Sequence, residues 1–513
     1  MAGGTDPVAR LREWRSVAPD TFEAQVREEA AWLKQELAAG TFDNDQTTLG
    51  LEHELYGVDR ATTRLRRVPR GLLTHRDVCP ELGLHNAEIN TCPFPCNESG
   101  LRALSHGVAA RLRGVQRAAA DDDLRFVSDG LWTVPPAEAT TREYLTAATE
   151  ADDLTLGVNV TNEPRYHGFA NTNKAMGGRL DLPGVDIAAD YPAFVALTTS
   201  IQPHYQCRRA ADLPAQFGYA LRIAGPLLAL AANAPVLPPD LYDESPDREL
   251  LLDDGWTEHR VPIYEQIINP TDGPAKVRFP DDVDSPADAV DAIVDDETLV
   301  PAPCEAGARF DDAFAHLRHK HGSYWRWVRP VFDGATEAEA NTRIEFRPLP
   351  AQPTVPDAVS LVAAFAGLLT ELHAQNHPVG EQSWATARDN FYAAARDGLA
   401  ADLEWITADG DATTDTARLY EDLFAVAADG LERQGLSRAQ AAGWLDPLRT
   451  RVTDGQTPAE WKRATIASRL DAGDDPAEAV YAMQRRYVDC QAETLYTGTL
   501  ADWPAPELAA VHA

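Results

Sequence analysis

Apolar residues recur every three to four positions from Phe22 through Val26, Ala30 and Leu33 to Leu37, which predicts an N-terminal helix. From Thr48 to about Arg208 the pattern shortens. The runs Leu49 to Gly57, His85 to Thr91, Leu154 to Val160 and Leu197 to Gln206 are bounded by Pro, Gly and Asn and predict strands. Pro203 lies inside the last run, which predicts an edge strand or a bulge there. A helix follows from about Ala215 to Asn233, ended by Pro235. The Asp- and Pro-rich stretch 238–303 reads as irregular, with one possible strand at Arg260 to Ile267. An apolar run from Ser323 to Phe332 precedes a strand at Thr342 to Pro348.

Beyond Asp357 the period is helical. The expected helices are Val359 to Ala374, Trp384 to Leu399, Asp415 to Gln434, Pro458 to Leu470 and Ala477 to Leu495. Thr457 before Pro458 reads as an N-cap with proline at the first helical position. Strands first and helices later predict an α+β protein. The expected parts are an N-terminal helical segment over 1–47, a sheet-bearing catalytic domain over 48–354 with an acidic insertion at 238–303, and a helical segment over 355–513 packed on it.

Composition narrows the function classes. The 513 residues carry 46 basic and 80 acidic side chains, a net charge of −34. Lysine occurs only at Lys34, Lys174, Lys276, Lys320 and Lys462. Acid excess with so little lysine fits a surface kept soluble in concentrated salt, a halophile's cytoplasm, better than an acidic protein of an ordinary cell. A nucleic-acid partner is not expected, because phosphate binding needs a basic face. No run of about 18 apolar residues and no apolar N-terminal signal core appear, so a cytoplasmic protein without membrane contact is expected. The six cysteines are scattered, and Cys92-Pro-Phe-Pro-Cys96 lacks the second close pair of a zinc site, so reduced thiols are the expectation.

Neither a Gly-x-x-x-x-Gly-Lys-Ser/Thr phosphate loop nor a strand leading into Gly-x-Gly-x-x-Gly is present. Four strand-like segments carry the candidate chemistry instead. Glu52 and Glu54 alternate with Leu51, His53 and Leu55 and so share one face, about 7 Å apart, where two carboxylates repel unless a cation lies between them. On an acidic protein such a pair alone also fits a solvated face. Glu88 and Asn90 share a face of the next segment, with Glu81 just upstream. Gln202, His204 and Gln206 share a face of the third, where a single histidine is ordinarily structural. In the fourth, Arg343, Glu345 and Arg347 face one way and Ile344 and Phe346 the other, which also fits an exposed, salt-bridged strand. Together the segments supply five carboxylates, an imidazole and arginines. Hard divalent cations take oxygen ligands with an occasional imidazole, and arginine neutralises a transferring phosphoryl group. The set fits metal-assisted phosphoryl transfer.

In this order the segments resemble the glutamate–cysteine ligase family, in particular its bacterial and archaeal carboxylate–amine ligase branch. The matching pieces are Gly50 to Leu55, Glu81 to Thr91, the strand of His204, Leu230 to Pro235, His321 to Pro330, and Arg343 to Pro350 with Gln352 to Thr354 after it. The C-terminal helices, including Trp384 to Leu399, also resemble the family's helical tail. The resemblance implies a glutamine-synthetase-like fold, a curved and mostly antiparallel sheet forming a funnel, with a helical C-terminal segment. It implies ATP as substrate and Mg²⁺ held by Glu52, Glu54, Glu81, Glu88, His204 and Glu345. It implies that Arg347 stabilises the transferring phosphoryl group, with Glu345 at the same centre, and that Arg329 binds a substrate carboxylate or phosphate. Asn233, Arg260 and Arg343 are further nucleotide-binding candidates. The usual histidine-rich run is here Gln202-Pro203-His204-Tyr205-Gln206, with one histidine.

The reaction so implied activates glutamate's γ-carboxylate as an acyl phosphate and passes it to the amine of cysteine. Another amine, phosphoryl transfer to a guanidinium, or a non-catalytic binding protein on the same fold are the alternatives.

Overall fold

The computed structural model describes residues 6–73, 78–172, 178–188, 192–271, 273–304 and 307–505. Its organising element is the long strand β1 (Thr48–Asp59), to which four other strands pair. The strands that complete the sheet are β2 (Cys79–Pro80), β3 (Asn86–Asn90), β4 (Phe94–Pro95), β5 (Leu124–Val127), β6 (Ile201–Gln206), β7 (Val328–Asp333) and β8 (Asn341–Phe346). Their order is β7-β8-β6-β1-β3-β2, with β4 and β5 on the two ends of β1, and every pairing is antiparallel. The sheet curls into a half-barrel.

Alternation divides the sheet chemically. Leu51, His53, Leu55, Ala87, Ile89, Ile201, Tyr205, Ile344 and Phe346 are buried on the convex face, against helices. Phe365 of the helix Val355–Gln375 lies 4.6 Å from Phe346, ring centre to ring centre. That helix is long and apolar enough to cross a membrane by length and composition, but it forms the floor of this core and is 94% buried. It crosses the helix Thr416–Arg433 at two glycines. A Cβ on Gly367 would stand 2.2 Å from the Ala427 carbonyl, so only glycine permits the approach. His53 hydrogen-bonds Ser128 at 2.7 Å, and burial pulls its imidazole down to about 4, so it is neutral at pH 7.

Several expectations need correction. The strand β6 is interior, between β1 and β8, and not an edge. Its ladder to β8 runs from Gln206 to His204 and stops at Pro203. The Ile201 N–H then reaches the Leu349 carbonyl, one residue out of that register, so the proline sits at an irregularity where no ladder donor is needed. The described residues of the stretch 238–303 include the α-helices Arg248–Leu252, Arg260–Ile268 and Pro286–Val294. The second replaces the expected strand: Pro262 is tolerated in its first turn, and Ile263 and Ile267, four apart, share its buried face. Leu154–Gly157 does form a strand, but in a separate hairpin with Ala148–Ala151.

Two long helices went unforeseen. Glu98–Ala120 is capped by Asn97 accepting from the Gly100 N–H at 2.9 Å, and Arg438–Asp454 by a Ser437–Gln440 capping box. Elsewhere the helical periods agree, and Thr457 caps Pro458–Asp471 by accepting from the Glu460 N–H at 3.2 Å. All six cysteines are free, and burial pushes the Cys96 thiol up to about 12.

Candidate active site

The concave face gathers what the four segments carry. Cross-strand register sets Glu54 opposite Glu88, Glu52 between Asn90 and Gln202, and Glu345 between His204 and Arg329. Because partners across antiparallel strands lie on one face, this register alone assembles a polar row across five strands. Glu81 joins it from the turn before β3, held by the Tyr166 hydroxyl at 2.9 Å from the helix Pro164–Ala170.

Two cavities open on this face and share Glu52 as a wall. The first, of about 290 Å³, is lined by Glu52, Glu54, Glu81, Glu88, Arg165, Tyr166, Gln202, Tyr264, Arg329 and Arg347, among others. The second, of about 250 Å³, is lined by Glu52, Asn90, Thr91, His204, Asp333, Asn341 and Arg343, among others.

Charge is unevenly compensated in the first cavity. Glu345 sits between Arg329, at 3.0 Å, and Arg347. Burial disfavours its charge, yet Arg329, Arg347 and His204 together hold its carboxyl well below the usual range. The opposite wall is helped less, because burial outweighs the pull of Arg165 on Glu81 and of Arg260 and Arg347 on Glu54. Burial and then Glu81 push Glu54 up to about 7, and burial with Glu52, Glu81 and Glu54 lifts Glu88 well above the carboxylate range. Burial also raises Glu81. One residue bridges the two sides: the Gln202 amide donates to Glu54 at 2.9 Å and accepts from Arg347 at 2.7 Å. Glu54 accepts a second bond from the Ser200 N–H at 2.7 Å.

These under-compensated carboxylates are the donor set a hard divalent cation takes. Among the described residues no three acidic, imidazole or thiol groups converge closely enough to hold a bare ion alone. A cation held here would take part of its shell from water or from substrate oxygens.

Other expected site residues stand as follows. His204 Nε2 lies 3.2 Å from Glu52, and its Nδ1 accepts from Arg343 Nε at 3.1 Å. Arg343 also pairs with Asp333 at 2.6 Å, in the second cavity. Asn233 and Arg260 do not reach either cavity lining. Asn233 is fully buried and donates to the Ala351 carbonyl at 2.7 Å and the Tyr487 hydroxyl at 3.1 Å. Arg260 donates to the Pro348 carbonyl at 3.0 Å, bracing the chain just after β8. Sequence reasoning overlooked Arg165, Tyr166, Tyr264 and Asp333 and gave Gln202 no role. Pro164 at a helix start was the one available signal for the first two.

Buried acids facing buried arginines across a curled antiparallel sheet, with room for substrate between them, are the equipment of an ATP-dependent carboxylate–amine ligase, and the protein is of that class. The particular family comes from comparison with known sequences: residues 48–487 match the model of glutamate–cysteine ligase family 2, and the chain belongs to that family. No curated protein matches it. Among solved structures it is similar to the glutamate–cysteine ligase of Francisella tularensis in complex with AMP, at 14% identity and a TM-score of 0.52, over 89% of this chain and 91% of that one. A bifunctional glutathione synthetase from Pasteurella multocida matches at 14% identity and a TM-score of 0.47, over 91% of this chain and 54% of that one.

Proposed function

We propose that the protein joins the γ-carboxylate of glutamate to the amino group of cysteine, with ATP as the phosphoryl donor and Mg²⁺ as cofactor. The observation that carries this reading is the first cavity, where Glu52, Glu54, Glu81 and Glu88 face Arg329 and Arg347. Glu52, Glu54, Glu81 and Glu88 would hold the metal, with His204 and Glu345 at the far end of the row. When bound, Mg²⁺ neutralises phosphate charge and polarises the γ-phosphoryl group.

A carboxylate oxygen of glutamate attacks the γ-phosphorus, the bond to the bridging oxygen breaks, and ADP leaves. Arg347 offers fixed donors to the equatorial oxygens of that group, and Gln202 and Glu345 hold its guanidinium in place. Arg329, in the same wall, binds the charge of the substrate carboxylate or phosphate. The amine nitrogen then attacks the acyl carbon, inorganic phosphate departs, and the nitrogen's proton is lost. Phe169, Tyr166, Tyr264 and Trp325 wall the cavity and limit water, which would otherwise hydrolyse the acyl phosphate. The second cavity is lined by the Asp333–Arg343 ion pair, whose two charges an amino-acid acceptor would exchange for its own ammonium and carboxylate.

The test is ADP release with ATP, glutamate, Mg²⁺ and a panel of amines, run in low and in multimolar KCl, on wild type and Glu345→Gln. Cysteine-dependent turnover that the substitution abolishes supports the reading. Turnover with another amine keeps the chemistry and changes the acceptor. Phosphoryl transfer to a guanidinium would replace it, and absence of both turnover and Mg²⁺–ATP binding would leave a binding protein.

A further inference from the structure

Away from both cavities, a groove of about 530 Å³ runs between the helices Glu98–Ala120 and Pro476–Thr494 and the start of β5. Four arginines line it: Arg60, Arg113, Arg117 and Arg125. No acidic residue lines it, and among the described residues none of the four forms an ion pair. On a chain with a net charge of −34 that is an unusual concentration of arginine, although Asp121, Asp122 and Asp123 form the adjoining turn before β5.

Helix-dipole complementarity explains part of it, since Arg113 and Arg117 lie near the C-terminal end of their helix. It does not explain Arg60, just past the end of β1, or Arg125, opposite Val58 on β5. Three elements thus deliver like charges to one groove. Arg60, Arg113 and Arg117 are solvent-exposed, so water and salt screen much of their repulsion, and an anion seated among them would relieve the rest. Arg113 is already oriented, its guanidinium stacked 4.2 Å from the centre of the Tyr496 ring. The floor is apolar, with Phe126 and Val488 each 1% exposed, and the guanidinium groups stand around it at the solvent-facing rim. The polar residues of the lining offer no competing anion: Gln116 is spent on both backbone groups of Phe126 and Gln491 on Ser128 and Pro353.

We propose that this groove is a binding site for a small polyphosphate. Guanidinium forks match phosphate oxygens pairwise, and four of them suit a ligand with three or four charges. The volume suits a small molecule. A nucleic acid is the poorer occupant, because its long backbone would meet the acidic surface beyond the groove.

Calorimetric titration of the full chain with sodium tripolyphosphate, in EDTA and at the lowest KCl that keeps it folded, should reveal one site per chain whose affinity falls as KCl is raised. Arg113→Gln/Arg117→Gln should weaken that site by about tenfold or more. Arg347→Gln, in the carboxylate cavity, should leave it unchanged. Arg60→Gln/Arg125→Gln is the second groove variant, so that misfolding of one pair, seen by circular dichroism, does not decide the matter. Absence of binding by wild type, equal binding by both folded groove variants, or loss of the site in Arg347→Gln overturns the assignment. So does a groove variant that changes mass by light scattering when wild type binds no tripolyphosphate, which would make the groove a protein contact.

Discussion

Replacing Glu54 by Gln should make the metal-free protein more stable at pH 8 while destroying its ligase activity. Glu54 is 6% exposed, and burial followed by the charge of Glu81 raises its carboxyl from 4.5 to about 7. A raised carboxyl means that the folded state holds a proton the unfolded chain has already lost. Stability therefore falls as pH rises from about 4.5 to about 7 and is level above that. At about 1.4 kcal/mol per pH unit, the ionised side chain costs roughly 3 kcal/mol at pH 8. Gln removes that cost but cannot accept both of the bonds Glu54 receives, from the Ser200 N–H and the Gln202 amide, which returns about 1 kcal/mol. The net gain is about 2 kcal/mol. With an unfolding entropy near 2.1 cal/mol/K per residue over 513 residues, that is a rise in Tm of about 2 °C.

The assay is thermal unfolding by circular dichroism in EDTA from pH 4.5 to 8.5, wild type against variant. Near pH 4.5, where little of the penalty is present, the variant should be about 1 kcal/mol less stable. The curves should cross at about pH 5, and the variant should lie above wild type toward pH 8. Saturating Mg²⁺ with ATP should raise the wild type's Tm more than the variant's. Parallel curves, or a variant less stable at every pH, would refute the view that burial outweighs the counter-charge on this wall.

Three other outcomes follow from the structure. Gln202→Leu, which unlinks Arg347 from Glu54, should lower kcat by tenfold or more and cost about 1–3 kcal/mol in denaturant unfolding, because two buried charged groups each lose a partner. Asp311→Asn should destabilise by about 1–2 kcal/mol. Burial opposes that charge, but Arg309, Arg318 and the Gly334 N–H hold the carboxyl down at about 2, so its contribution is full above pH 3.8 and is lost as pH falls toward 2, which an acid titration of both proteins will read. Gly367→Ala should cost about 2 kcal/mol or more, measured in urea, since its Cβ would meet the Ala427 carbonyl at 2.2 Å.

The parts of the site that were legible in sequence are those fixed by a period of two. Glu52 with Glu54, Glu88 with Asn90, and Arg343 with Glu345 and Arg347 each declare a shared face within a single strand, and the core residues between them declare the other face. What no strand could declare is its register against its neighbours. Register alone puts Gln202 beside Glu52 and lets its amide span Glu54 and Arg347, which is why its bridging role was invisible.

The cavity's other wall was lost for a different reason. Tyr264 belongs to Arg260–Ile268, where Val261, Ile263, Ile267 and Ile268 carry strand propensity and Pro262 is easily taken as a helix breaker, though it stands in a first turn. The helix Glu98–Ala120 carries Gly100, Gly107 and Gly114, each unfavourable in a helix interior, and Arg438–Asp454 contains Pro447. In each case tertiary burial of the apolar stripe outweighs a local cost of about 1–3 kcal/mol. The same balance explains the acid wall. Burying Glu54, Glu81 and Glu88 side by side runs against local electrostatics, and the sheet tolerates it only because the apolar convex face holds these strands in register. Such a conflict is expected where the missing charge comes from a bound substrate complex and not from the chain.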